Sequence, residues 1–369
     1  MLASDAPVDA SNADNVYALV INDRIVDPSD GRVIRRLTGA NDYDQAERVG
    51  EHRFVVGALT IDIAKNSMRQ EFPIAALVGD DQDKSWKVDA LVRYESTGAA
   101  RWRIPIKGAR SVRPPDVATG SGRVVVTVDD KIFAFDDDTG APIWNASGPA
   151  DRLVSDGATL FTTDCSVHKT PRFVVGRRLL DGKELFRAPI PAEMDPTLTL
   201  DARHVIVTDP SRKLTVVLAH DGRELYRLSE TMFDMHLVAD GEIAVTDARI
   251  ALLDAAGRER WKIAGPRNHF VAGDEFTEIG GDVILANYGR IDDSGVDVTR
   301  IRVRDGVVVW HTEVRGLGVD HSEYQHTAYV DVQGANLYVV SQGSGGSFFE
   351  RLDTATGKSE ARVTMKSER

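Results

Sequence analysis

The chain holds one cysteine, Cys165, in 369 residues. A single thiol excludes an intrachain disulfide and any cysteine-based metal cluster. As a nucleophile it would need an activating base, and the surrounding TTDCSVHK offers only His168, three residues on, so the thiol reads as inert. No run of 18 apolar residues occurs anywhere, which leaves no helical membrane span. Clustered basic residues are also missing. With 45 Lys and Arg against 57 Asp and Glu the formal charge is −12, which disfavours nucleic acid, since phosphate contacts require grouped cations. No amphipathic helical pattern of ten or more residues is found, so helical repeat folds are excluded. The opening MLASDAPVDASNAD lacks the basic and apolar regions of a secretory signal. Its composition reads as a flexible leader over residues 1–15. Two origins fit: a stub left by a trimmed export signal or lipid anchor, placing the protein in the periplasm or at the cell surface, or a plain cytoplasmic N-terminus.

What the chain does have is a repeat. Glycine is followed four positions later by an aromatic residue at Gly98/Trp102, Gly140/Trp144, Gly182/Phe186, Gly222/Tyr226, Gly257/Trp261 and Gly306/Trp310. Gly31 and Gly357 sit in similar turns, DPSDGRVIRRL and DTATGKSEARV, with Arg35 and Ala361 in the aromatic slot, and count as degenerate terminal copies. The eight glycines are separated by 67, 42, 42, 40, 35, 49 and 51 residues, the spacing of a single supersecondary unit repeated along the chain. Repeats also explain how a chain of this length can do without a linker, because each unit packs mainly on its neighbours. Hydrophobic residues at 42 % and charged residues at 28 % are ordinary for a globular fold.

Before each glycine lies a β-rich segment with a central turn, as in GRVVVTVDDKIFAF, HVIVTDPSRKLTVVLA, EIAVTDARIALL and NLYVVSQG. After it comes a strand of period two, such as Trp102-Arg103-Ile104 or Phe186-Arg187-Ala188. Another short strand precedes each set, for example RLVSDG at 152–157. Each unit is therefore expected to be a four-stranded antiparallel meander, and the fold all-β. The glycine supplies a positive φ in the hairpin between the third and fourth strands, and the Asp or Thr before it bonds the turn's own backbone. The aromatic side chain is expected to fill the wedge between adjacent units. Arg103, Arg187, Arg227 and Lys262 alternate along exposed outer strands, where Glu184, Glu224 and Glu259 would balance them.

The turns AFDDDTGAPIW, LLDAAGRERW and VRDGVVVW resemble the tryptophan-docking repeats of pyrroloquinoline-quinone-type β-propellers, over residues 17–366. That resemblance implies a single propeller spanning 16–369, with eight blades, or seven if the first and last turns share one closed blade. The family it resembles contains quinoprotein dehydrogenases and cofactor-free relatives, among them an outer-membrane assembly scaffold. The dehydrogenases carry a vicinal cysteine pair over the quinone, which a chain with only Cys165 cannot form. Four of five tryptophans (Trp102, Trp144, Trp261, Trp310) are used in the blade turns, leaving Trp86 as the spare one to stack beneath a quinone. The cofactor-free branch is the better match: no cofactor, no catalytic residue, and a protein partner. DPSDG and DDDTG lack the ligand alternation of calcium loops and read as turns. QGSGGSFF lacks the G-x-S-x-G of a nucleophile elbow.

In a four-stranded meander the glycine turns share one face and the longer connections the other. On the second face the sequence places 64–86, 164–172, 287–300 and SQGSGGSFF as loops, together with the connections SETMFDMH, AGPRNHFVAGDE and EVRGLGVDHSEYQH. Loops on a rigid scaffold are the usual carriers of function. The expected partner-binding residues are therefore His168, His236, His269, His321, Glu323 and His326, with Asp234 beside His236. His321, Glu323 and His326 are suitable ligands for a divalent ion, but their spacing matches no established signature, so no metal is assigned. The alternative is a small-ligand or metal sensor, or a quinone-dependent oxidoreductase, using the same residues at a channel mouth.

Overall fold

The structure is a computed structural model that describes residues 19–21, 24–37, 46–50, 53–56, 59–62, 67–70, 75–82, 85–94, 100–111, 117–128, 131–147, 152–164, 172–191, 196–264, 275–288, 295–317, 327–343 and 346–365. The fold is all-β and of the multi-blade propeller type. Among the described residues nine antiparallel sheets form: sheet 1 (19–36), sheet 2 (46–70), sheet 3 (75–111), sheet 4 (117–147), sheet 5 (152–190), sheet 6 (197–228), sheet 7 (232–264), sheet 8 (275–314) and sheet 9 (327–365). Each is a meander in which strands consecutive in sequence are neighbours. Seven have four strands, and sheets 1 and 3 have three. A single 3-10 turn, Pro210–Arg212, is the only helical element among the described residues, capped by the Asp209 carboxylate.

Seven of the eight repeat glycines are described, and each lies between the last two strands of its sheet with φ between 67° and 84°. Gly98 falls outside the described residues. At Gly140 the amide donates to the Asp136 carbonyl four residues back, and the Asp136 carboxylate accepts from both the amide and the hydroxyl of Thr139. Asp27 with Ser29 and Asp353 with Thr356 repeat this pattern, so DPSDG and DDDTG are turns with their carboxylates internally satisfied. The hydroxyl and amide bonds from Thr139 hold the Asp136 carboxyl below its ordinary range. The stabilisation this gives is present above that ordinary range and is lost as pH falls through the lowered value.

Six of these seven turns receive a ring from the preceding sheet. A Cβ built on Gly140 would lie 2.9 Å from the Trp102 ring, and one on Gly182 would lie 2.6 Å from Trp144. Phe186 covers Gly222, Tyr226 covers Gly257, Trp261 covers Gly306 and Trp310 covers Gly357 in the same way. The four indoles also donate Nε1–H to backbone carbonyls beside the turn: Trp102 to Asp137, Trp144 to Leu179, Trp261 to Val303 and Trp310 to Thr354, at 2.6–3.0 Å. At the degenerate end, Gly31 of sheet 1 is covered by Val363 of sheet 9, two residues beyond Ala361. Sheets 9 and 1 thus dock through an aliphatic contact where the ring is missing. The predicted charge balance is present as well, with Arg187–Glu184, Arg227–Glu224 and Lys262–Glu259 pairs on the outer strands.

The chain groups into two compact bodies. One comprises Phe72–Met232 and Asp254–Arg258, the other Met1–Glu71, Phe233–Leu253 and Glu259–Arg369. In the first body, apolar cores lie between sheets 3 and 4 (Leu91, Val124, Val126), 4 and 5 (Val125, Leu153, Leu160) and 5 and 6 (Phe161, Val174, Val205). In the second they lie between sheets 7 and 8 (Val245, Leu252, Leu285), 8 and 9 (Val298, Trp310, Val339) and 9 and 1 (Ile21, Tyr329, Phe349). Central strands are therefore sandwiched on both faces. His204–Asp209 is buried throughout, while the outer strand Glu259–Ala264 exposes all its side chains except the half-buried Trp261 and Ile263.

Four expected loops need correction. Residues 64–86 are mostly strand: Ser67–Gln70 closes sheet 2, and Ala75–Gln82 pairs with Ser85–Tyr94 in sheet 3. The 67-residue glycine interval thus hides an entire extra sheet without a glycine turn, because sheet 2 joins its last strands through 63–66 instead. In 287–300, Asn287–Tyr288 pair with Val296–Asp297, and Val298–Arg300 continue the ladder opposite Ile284–Ala286. In SQGSGGSFF the ladder runs to Gly343↔Gly346, because paired glycines let the two backbones approach at the hairpin tip. In SETMFDMH the strand begins at Met232.

Two glycines separate the backbone cost from the docking cost. Gly122 and Gly182 have φ of 69° and 72°, but a Cβ on Gly122 meets nothing within 4 Å. Gly122→Ala is expected to cost about 1–2 kcal/mol from the left-handed backbone alone. Gly182→Ala adds the clash with Trp144 and should cost about 3–5 kcal/mol in denaturant unfolding. Equal losses at the two positions would remove the docking argument.

Candidate functional site

The first strand of each four-stranded sheet begins at the end where the longer connections emerge, opposite the glycine turns. Of the expected site residues, His236 and Asp234 are described, both on the first strand of sheet 7, Met232–Val238. His168, His269, His321, Glu323 and His326 lie outside the described residues. The His236 ring stacks on Phe276 of sheet 8 at 4.9 Å and an interplanar angle of 5°, and its Nε2 lies 3.3 Å from Glu278 Oε1. Both partners come from the first strand of sheet 8, Glu275–Ile279. Burial pushes the Asp234 carboxyl above its ordinary range, partly offset by the Met235 amide that donates to it at 2.7 Å and by the nearby His236. This pair of strands therefore presents an oriented imidazole beside one half-buried and one exposed carboxylate, a group suited to hydrogen bonding with a partner.

Two further features were not anticipated. Asp297, His311 and Glu313 on the last two strands of sheet 8 bring one potential ligand atom each within 4.8 Å of the others. Asp297 stands opposite Glu313 in the ladder and Thr299 opposite His311, whose Nδ1 lies 3.0 Å from the Thr299 hydroxyl. The arrangement has the donor set for a divalent cation on an exposed outer edge. The second feature is a cavity of about 290 Å³ between the first strands of sheets 4, 5 and 6, lined by Val117, Arg152, Leu153, Val154, Thr197 and Leu198. The sequence signals neither one, since the first is assembled by strand register within a hairpin and the second by the packing of three sheets.

A family model described as outer membrane protein assembly factor BamB matches residues 78–195 and again 192–367, well over half of the chain. No curated protein sequence matches it. Among solved structures, a eukaryotic initiation factor is similar with a TM-score of 0.59 at 10 % identity, over 87 % of this chain and 88 % of that one. BamB from Moraxella catarrhalis gives 0.44 at 15 % identity, over 75 % and 86 %. The quinohemoprotein alcohol dehydrogenase from Comamonas testosteroni gives 0.44 at 11 %, over 88 % and 68 %. At these identities the first likeness speaks to fold alone. No helix of the described residues is long and apolar enough to cross a membrane.

The raised Asp234 carboxyl has a stability consequence. A folded pKa above the unfolded one means that the folded state holds the proton longer, so stability falls as pH rises from the ordinary value of 3.8 through the raised one. Asp234→Asn is expected to stabilise the protein at pH 7, with the gain shrinking toward zero below pH 3.8, measured by urea unfolding across that range. A gain that does not change with pH would mean that the carboxyl is not strained by burial.

Proposed function

The chain belongs to the family described as outer membrane protein assembly factor BamB, and from that premise we propose that it is a non-catalytic scaffold of a cell-envelope assembly. In this reading 16–369 is a propeller domain that holds the ends carrying the longer connections toward a protein partner in the periplasm or at the cell surface. The observation that carries the reading is the use made of the residues a quinone enzyme would need. Four tryptophans are committed to docking turns, with their indole N–H groups bonded to backbone, and the one cysteine cannot form the vicinal pair. His236 with Glu278, Asp234, His168, His269, His321, Glu323 and His326 supply the polar contacts to the partner, and exposed apolar residues at the same ends, Phe233 and Leu317, add hydrophobic ones.

Cross-linking in intact envelopes followed by affinity capture tests the proposal. A stoichiometric protein partner should be recovered, and Phe233→Ser combined with Leu317→Ser should reduce its recovery about tenfold or more without lowering the thermal midpoint. Quinone with calcium should neither shift that midpoint nor support dye-linked oxidation of alcohols or sugars. Quinone-dependent turnover by the purified chain would overturn the scaffold reading.

A further inference from the structure

The face of sheet 5 that packs on sheet 6 carries an apolar core from Phe161, Val174, Ala188 and Ile190 on one side to Leu198 and Val205 on the other. Toward the end of that face remote from the glycine turn, the character changes. Arg152 stands opposite Thr163, and Thr163 stands opposite Val174, so the three side chains form one row across the first three strands. Arg172, two residues before Val174 and opposite Ile190, projects from the same face one step further toward the end. Thr163 is 0 % exposed and Arg172 is 6 % exposed.

These buried groups lack what burial normally demands. The Thr163 Oγ1 and the Arg172 Nε and Nη1 make no hydrogen bond, and no carboxylate faces Arg172 among the described residues. A guanidinium cannot shed its proton to escape the penalty of a dry site. An uncompensated buried cation costs several kcal/mol, which folded proteins usually offset with a counter-charge. Next to this row, and lined by Arg152 itself, lies the cavity of about 290 Å³. Its remaining lining residues are Thr197 and the aliphatic Val117, Leu153, Val154 and Leu198, so the cavity surface is mixed, polar and apolar in similar measure.

We propose that this end of the gap between sheets 5 and 6 is a binding site for an aliphatic carboxylate. The planar donors of Arg172 and the Thr163 hydroxyl take the two oxygens, and the cavity wall takes the short hydrocarbon body. A bare phosphate or sulfate would satisfy Arg172 but leave the aliphatic side chains unused. The volume lies at the low end for ligand sites and suits a body the size of one side chain. Such a group comes from two sources: a free short-chain acid, or the C-terminal residue of a peptide ending in an aliphatic amino acid. The assignment does not rest on the scaffold reading. A response to the free acid alone leaves that reading as it stands, and a response to the peptide identifies a chain end as the recognised feature.

The test is thermal unfolding at fixed ionic strength with 4-methylpentanoate, with an acetylated tripeptide ending in leucine, with the amides of both, and with inorganic phosphate. At least one carboxylate should raise the midpoint by about 3 °C or more at saturating concentration, and its amide should not. Arg172→Met should raise the ligand-free midpoint, because it removes an unmatched charge while keeping the volume, and should abolish the response. Thr163→Val, which keeps shape and burial, should weaken the same response about tenfold, and it decides the matter if the arginine variant does not fold. The proposal is overturned if neither carboxylate shifts the midpoint, if phosphate alone does, or if the response survives undiminished in either folded variant.

Discussion

An aromatic ring laid on a bare glycine Cα is the contact from which the rest of this architecture follows. Two requirements meet at that atom: a hairpin that needs a left-handed residue, and a neighbouring ring that needs the space a Cβ would fill. Either alone would tolerate some substitution. Together they make glycine a condition of both turn and packing at Gly140, Gly182, Gly222, Gly257, Gly306 and Gly357. The four indole N–H bonds to turn carbonyls then fix the ring's angle as well as its depth, so successive sheets meet at a repeated geometry.

Stability distributed in this way has no single centre. Each apolar core lies between two consecutive sheets, and strands inside a sheet are buried by both neighbours. The outer strands remain wet, and their alternating Arg and Glu pairs keep an exposed edge from recruiting another strand. Surface pairs of this kind add little to stability. Their value is in what they prevent.

The parts of this fold legible in the sequence are those encoded by neighbours in the chain. A glycine four residues before a tryptophan is local, and so are the Asp and Thr that close each turn; both were found where expected. Sheet 2 was not, because it joins its strands without the glycine marker and its strands of four or five residues, such as Ala46–Gly50 and Leu59–Asp62, carry too short a pattern to stand out. The hairpin at Gly343 and Gly346 misled for the opposite reason: glycine-rich composition reads as loop, yet here it lets a ladder run to its tip. Most of the histidines singled out as binding residues fall outside the described residues. His236 is described, and its stacking on Phe276 joins residues 40 positions apart, on the first strands of two successive sheets.

The sites that escaped sequence reasoning share a physical cause. Arg152, Thr163 and Arg172 carry no motif, and their spacings of 11 and 9 residues mean nothing until register puts them on one face. In a repeat whose interfaces are otherwise filled with Val, Leu and Phe, a buried polar group is a departure from the pattern, not an instance of it. Such departures are invisible to a search for regularity, because regularity is what identifies the fold. Once the docking contacts have fixed which faces meet, the exceptions become measurable as unmatched donors and unfilled space. A repeat fold in which each interface is stabilised largely by itself can break the packing pattern locally. The gap between sheets 5 and 6 is where the chain does so, with a full apolar core at one end and the unmatched Arg172 and Thr163 at the other.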